Sequence, residues 1–204
     1  MSEQTFKSGI DVALVGEIDA RRELAAEGWL TINTNTEKGN FPNVDLIAAK
    51  GEEARAIQVK TTDAEKGSHK HCLFMGRAEG WLTKGTPFFN AKPGPLKASV
   101  VVLVHAQREG SRFVVLPVGL AEQMARLDVE QWFAVPKLDG SKRSAGFDAR
   151  PAFTHLRKQS LPTEMFMQNT LLAFENRWDV LDASIEKLND AAAWGVKFPE
   201  FANA

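Results

Sequence analysis

Two apolar runs joined by a glycine turn constrain this chain more than any other feature. Asn43-Val44-Asp45-Leu46-Ile47 leads through Lys50-Gly51-Glu52-Glu53 into Ile57-Gln58-Val59-Lys60. Glycine in a short polar connector between such runs signals a β-hairpin, because the tight primed turns need positive φ at that point. Centring the turn there pairs Lys50 with Glu53 and Ala49 with Ala54, and counting back sets Asp45 opposite Gln58. Side chains alternate along a strand, so Gln58 and Lys60 share a face and Asp45 joins them. A carboxylate, an amide and an ammonium then meet among Leu46, Ile47, Ile57 and Val59. Burying such groups unpaired costs a few kcal/mol each, on the order of 2–7. They therefore pair with one another, as a structural Asp45–Lys60 bridge, or they do chemistry.

The remaining chain reads as alternating helix and strand. Apolar positions Ile10, Leu14, Ile18, Leu24 and Ala25 predict an amphipathic helix from Ile10 to about Gly28, with Gly28 as its C-terminal cap. Trp29 to Asn33 predicts a short strand, and residues 33–43 a polar loop. Glycines and prolines break residues 63–97, where a strand near Cys72-Leu73-Phe74-Met75 and a loop at 92–95 are expected. Val100–His105 is a buried strand, Gln107–Gly110 a turn, Arg112–Pro117 a returning strand and Gly119–Leu127 a helix. Residues 137–150 read as an exposed basic loop. Pro162 opens a long helix in which Met167, Leu171, Phe174, Trp178, Leu181, Ile185 and Leu188 form a heptad seam. That seam packs on the parent domain or pairs with a second subunit. The expected architecture is α/β, a mixed central sheet flanked by helices over residues 1–158, with a helical extension over 159–204.

The hairpin residues carry a resemblance. An aspartate opening one core strand and Q-x-K on the next resembles the PD-(D/E)XK nuclease superfamily, the restriction-endonuclease-like fold. Glu17, within Val15-Gly16-Glu17-Ile18-Asp19, stands where that family often adds an acid on the preceding helix. The resemblance covers roughly residues 10–125. Valine replaces the motif proline. Glutamine replaces the second acid, as in the methylation-dependent restriction nucleases. The resemblance implies metal-dependent phosphodiester hydrolysis. Asp45 would be the principal magnesium (or manganese) ligand, Glu17 a second, the Gln58 amide oxygen and the Val59 carbonyl further donors, and Lys60 the group that orients the attacking water or neutralises the phosphate. Hard divalent cations take oxygen donors of this kind. Taken singly, these residues also fit plain structural roles. Glu17 can pair with Arg21 one helical turn on, and the Lys60 stem can pack while its ammonium reaches water. The fold also admits a member whose site has decayed into a nucleic-acid-binding or regulatory module.

Composition sets the surroundings. The 204 residues are 44% hydrophobic, enough for a packed core. A single cysteine, Cys72, rules out an internal disulfide framework and points to a reducing compartment, hence the cytoplasm. No apolar run reaches the roughly 20 residues that span a bilayer. The formal charge of −1 gives no bulk attraction to nucleic acid. Its distribution does, because residues 55–97 and 137–158 are basic blocks inside an otherwise acidic chain. Lys66, His69 and Lys70 in the first block, and Lys142, Arg143, Arg157 and Lys158 in the second, are the expected contacts to double-stranded DNA. Solvated loops are the plain alternative. Cutting both strands favours two active sites, and thus a homodimer.

Overall fold

The computed structural model describes residues 9–34, 44–63, 74–77, 98–107, 110–137, 139–141, 146–149 and 162–199. Helix α1 (Gly9–Ala26) precedes strands β1 (Leu30–Asn33), β2 (Leu46–Lys50) and β3 (Glu53–Asp63). After β4 (Phe74–Arg77) come β5 (Val100–Ala106), β6 (Arg112–Pro117) and helix α2 (Val118–Ala134). Strand β7 (Gly146–Ala149), α3 (Pro162–Ala173) and the short α4 (Ile185–Asn189) complete the order. Five strands form one mixed sheet, β1-β2-β3-β5-β6, and β4 pairs with β7 in a separate ribbon. The expected α/β class with a mixed central sheet is what the chain builds.

The hairpin has the register read from its turn, with Lys50 paired to Glu53, Ala49 to Ala54 and Leu46 to Ile57. Gly51 has φ 62° and Glu52 is not left-handed, the pattern of a II′ turn whose twist suits the flanking strands. Among the described strands only β3 and β5 run parallel, which the long crossover between them permits. Helix α1 ends in a Schellman motif. Gly28 adopts φ 82°, its N–H donates to the Ala25 carbonyl, and the Trp29 N–H reaches back to the Leu24 carbonyl at 2.8 Å.

Several expectations are corrected. The face of α1 that packs on the sheet is Val12, Gly16, Ala20 and Leu24, whereas Leu14 and Ile18 are 49% and 45% exposed. Small residues line the contact because helix and strand approach closely there. A Cβ on Gly16 would fall inside the Thr61 side chain. Helix α2 runs on to Ala134, past the expected Leu127. The strand sought at 72–75 begins at Phe74, with Cys72 and Leu73 outside the described residues. The stretch 137–150 is not wholly a loop, since it contains β7.

The long C-terminal helix is also corrected. Helix α3 stops at Ala173, and residues 174–176 run alongside β6. The Val115 N–H donates to the Phe174 carbonyl at 3.0 Å, and the Asn176 N–H to the Phe113 carbonyl at 2.9 Å. Asn176 sits at φ 55°, a left-handed conformation that asparagine tolerates better than most residues. A 3-10 turn at Trp178–Asp182 and α4 follow. Six of the seven seam residues are nevertheless buried, and only Ile185 stays exposed. They join the same hydrophobic cluster as β5 and β6.

Polar ties hold this segment to the domain. At the start of α3, the Thr163 N–H donates to Gln131 Oε1 at 2.7 Å, and its hydroxyl to Asp128 Oδ1 at 3.3 Å, all three residues being buried. Arg112 grips Glu175 with two hydrogen bonds, at 2.6 and 2.9 Å. The Arg112 hydrogen bond is the main reason that the Glu175 carboxyl lies below the ordinary glutamate range. A carboxyl lowered by folding stabilises the folded state above its unfolded pKa, and that contribution is lost as pH falls through the folded value. Glu175→Gln is therefore expected to lower stability by up to about 1 kcal/mol near pH 7, the scale of a partly exposed pair. Parent and variant should converge as pH falls through the lowered folded value, where both come to carry a neutral side chain. Urea midpoints over a descending pH series check this.

Candidate active site

Three elements meet where β2 begins and β3 runs on past it. Asp45 stands one residue before β2. Its N–H donates to the Ile57 carbonyl at 2.9 Å, and its carbonyl accepts the Thr34 N–H at 3.0 Å. The backbone is thus held from both neighbouring strands. Its carboxylate Oδ2 accepts the Val59 N–H at 2.7 Å. That bond fastens the aspartate to the middle residue of Gln58-Val59-Lys60.

The sequence signal that splits these residues between the sheet's faces is pleat alternation. On β3, Ile57, Val59 and Thr61 face α1, as the Gly16–Thr61 contact requires. Gln58, Lys60 and Thr62 belong to the opposite face. Gln58 is 6% exposed, and its Oε1 has no hydrogen-bond partner among the described residues. A buried amide oxygen without a donor is costly, about 1–3 kcal/mol, unless something supplies positive charge or a proton there. Lys60 is half-buried. Both residues lie close to the strand end at which Asp45 approaches.

Glu17 comes from the α1 side. Its Oε2 accepts the Asn33 Nδ2–H at 2.6 Å. Asn33 pairs with Leu46 in the β1–β2 ladder, so Glu17 is anchored one residue from Asp45 along the sheet. The sequence marks Asn33 and Thr34 only as the end of a strand and the start of a loop. They hold Glu17 and the Asp45 backbone respectively, and the signal for them was two polar residues directly after an apolar strand.

Carboxylate, amide and peptide carbonyl oxygens are the donors that a hard cation takes, but Glu17 reaches the sheet from the α1 side and Gln58 belongs to the opposite face. No group of three His, Cys, Asp or Glu residues among the described ones has the geometry of a metal site. Lys66, His69, Lys70, Lys142, Arg143, Arg157 and Lys158, expected at the nucleic acid, lie outside the described residues. No helix among the described residues is long and apolar enough to cross a membrane.

Gly16 connects packing to the site, because it precedes Glu17 and lets α1 settle on Thr61. Glycine to alanine in a helix normally gains about 1 kcal/mol. Gly16→Ala should instead lose about 1–3 kcal/mol through overpacking and displace Glu17 from Asn33. Thermal denaturation and a divalent-ion titration of the variant measure both effects.

The sequence matches no protein-family model and no curated protein. Among solved structures, a bacterial homing endonuclease aligns with a TM-score of 0.45 at 13% identity, covering 93% of this chain and 98% of that chain. So loose an overlap bears on neither family nor function.

Proposed function

We propose that this protein is a metal-dependent DNA endonuclease of the PD-(D/E)XK type, in its Q-x-K form. The observation that carries this reading is the Asp45 carboxylate bonded to the Val59 N–H, beside the buried Gln58 oxygen that has no hydrogen-bond partner among the described residues. Asp45, Gln58 Oε1 and the Val59 carbonyl would hold magnesium or manganese, and Glu17, on the α1 side of the sheet, would act through water. The bound ion supplies a more acidic water and a counter-charge for the transition state. Asp45 keeps its carboxylate in place through the Val59 N–H. Asn33 fixes the Glu17 carboxylate by a hydrogen bond to Oε2. Lys60 orients the attacking water or neutralises the phosphate. Restriction, defence against mobile elements, or repair would employ such an activity.

The test is nicking of supercoiled plasmid by purified protein with magnesium or manganese, compared with Lys60→Ala. Loss of nicking in the variant is expected, and equal activity in both would overturn the assignment.

A second reading, a decayed site retained for binding or regulation, draws on Gln58 standing where an acid would better compensate a divalent ion. Gln58→Glu separates the two. Without metal, the new buried carboxylate should destabilise the fold. With manganese, affinity should rise on the order of 10-fold, the scale of a ligand change, and stability should recover by linkage. Melting temperatures across a manganese titration report this without relying on cleavage. A variant that ignores manganese as the parent does would favour the decayed site.

A further inference from the structure

The flank where α1 meets β1 is apolar and exposed. Four of the seven exposed large apolar side chains among the described residues are there: Leu14 and Ile18 on α1, and Leu30 and Ile32, at 80% and 58% exposure, on β1. Thr31 and Asn33 touch Arg21 and Glu17 of the helix. Alternation therefore sends Leu30 and Ile32 to the opposite face of the sheet. Their β2 partners there, Ala49 and Ile47, are half-buried, and Ala54 of β3 is exposed beyond them. An apolar surface continuous over three strands marks an interaction site. Strand β1 also ends the described sheet. The Thr34 N–H donates to the Asp45 carbonyl, so alternation turns the Ile32 backbone groups toward β2 and those of Thr31 outward.

Charge identifies the occupant. Arg21 Nε donates to the Thr31 hydroxyl at 3.1 Å, and Glu17 accepts from Asn33 at 2.6 Å, two residues farther along the same strand. A cation and an anion thus follow one another along a single edge, an order that complements its own two-fold image. With two β1 strands antiparallel and Ile32 on the axis, Thr31 faces the partner's Asn33, and each Arg21 stands beside the partner's Glu17. Centring on Thr31 instead brings the two Arg21 side chains together, which repulsion disfavours. A guanidinium has several N–H donors and a carboxylate several acceptor sites, so the pairing adds to the bonds already made.

We propose that a second copy of this chain docks on the β1 flank, antiparallel about Ile32, with the Arg21 of each copy beside the partner's Glu17. The interface brings a cation from each subunit to the other's candidate site. It goes beyond the nuclease reading and does not rest on it, since association needs neither metal nor DNA.

Sedimentation velocity of the full chain over a concentration series, without metal or DNA, tests it. A reversible monomer–dimer equilibrium in the micromolar range is expected, the weak end for interfaces between folded proteins. Ile32→Asp should weaken dimerisation at least about 10-fold, because two carboxylates then meet on the axis. Arg21→Glu and Glu17→Arg should each weaken it comparably, because like charges meet twice. An equimolar mixture of these two variants should associate as the parent does, since both pairs regain opposite signs. In a Cys72→Ser background, Ile32→Cys should form an intermolecular disulfide on oxidation, because closely spaced antiparallel pairs have Cα atoms about 4.5 Å apart, within disulfide reach. Circular dichroism checks folding. Arg21 and Ile32 are exposed, so their variants carry the test even where Glu17→Arg unfolds. A parent monomeric at every concentration, unchanged association in Ile32→Asp or Arg21→Glu, or no rescue by folded Glu17→Arg would each overturn the proposal. A monomer with Asp45-dependent nicking sinks the interface alone. A dimer with these properties that never nicks sinks the nuclease reading alone.

Discussion

Asp45→Asn is expected to slow plasmid nicking on the order of 100-fold or more, the scale of losing a group that positions the reacting water, while the protein stays folded. The reason lies in the two tasks of this carboxylate. One oxygen accepts the Val59 N–H at 2.7 Å, and an amide oxygen can accept the same bond. The proposed site also needs the negative charge, which asparagine cannot supply. Asp45→Ala removes both and should also lose about 1–3 kcal/mol, because the Val59 N–H is left without its acceptor. Nicking rates and urea midpoints for the two variants separate chemistry from folding. An asparagine variant that cleaves at the parent rate would remove Asp45 from the reaction.

The largest expected effect on stability is at Arg55. This residue is 3% exposed, and its guanidinium donates to the Leu181 carbonyl at 2.8 Å, the Ala183 carbonyl at 2.9 Å and the Glu53 carboxylate at 2.7 Å. It also sits 5.9 Å from the Trp29 ring. Arg55→Met keeps the apolar stem but strands the two carbonyls, at about 1–3 kcal/mol each. A total of about 3 kcal/mol is a large share of a domain's usual 5–15 kcal/mol. Arg55→Lys, with a compact ammonium, should recover only part, because it cannot span the planar fork. Hydrogen exchange should show amides of residues 178–188 opening first. Equal protection in parent and Arg55→Met would mean that the guanidinium does not hold the segment.

Local signals in the sequence were reliable where the physics is local. Gly51 set the hairpin turn, and from it the pairing of Lys50 with Glu53 followed. Arg112–Pro117 was legible with its ends, because a continuous apolar run bounded by turn residues has few alternatives. The apolar spacing from Met167 to Leu188 identified core residues but not their conformation, since burial against β6 broke the helix at Phe174. Leu14 and Ile18 misled because a hydrophobic stripe does not register a glycine that permits close contact. The juxtaposition of Asp45 with Gln58-Val59-Lys60 was legible from register. The roles of Asn33 and Arg55 were not, because their partners lie on other elements, for Arg55 more than a hundred residues away.

The strap at residues 174–176 has a consequence for assembly. It occupies the outer backbone groups of β6 around Phe113 and Val115, leaving β1 as the terminal strand at the other side of the described sheet. A β-sheet with two open margins can recruit copies without limit. One sealed margin changes the arithmetic, for two molecules joined through β1 would present only straps outward. Growth by strand addition would halt at a closed pair rather than run on into a fibre.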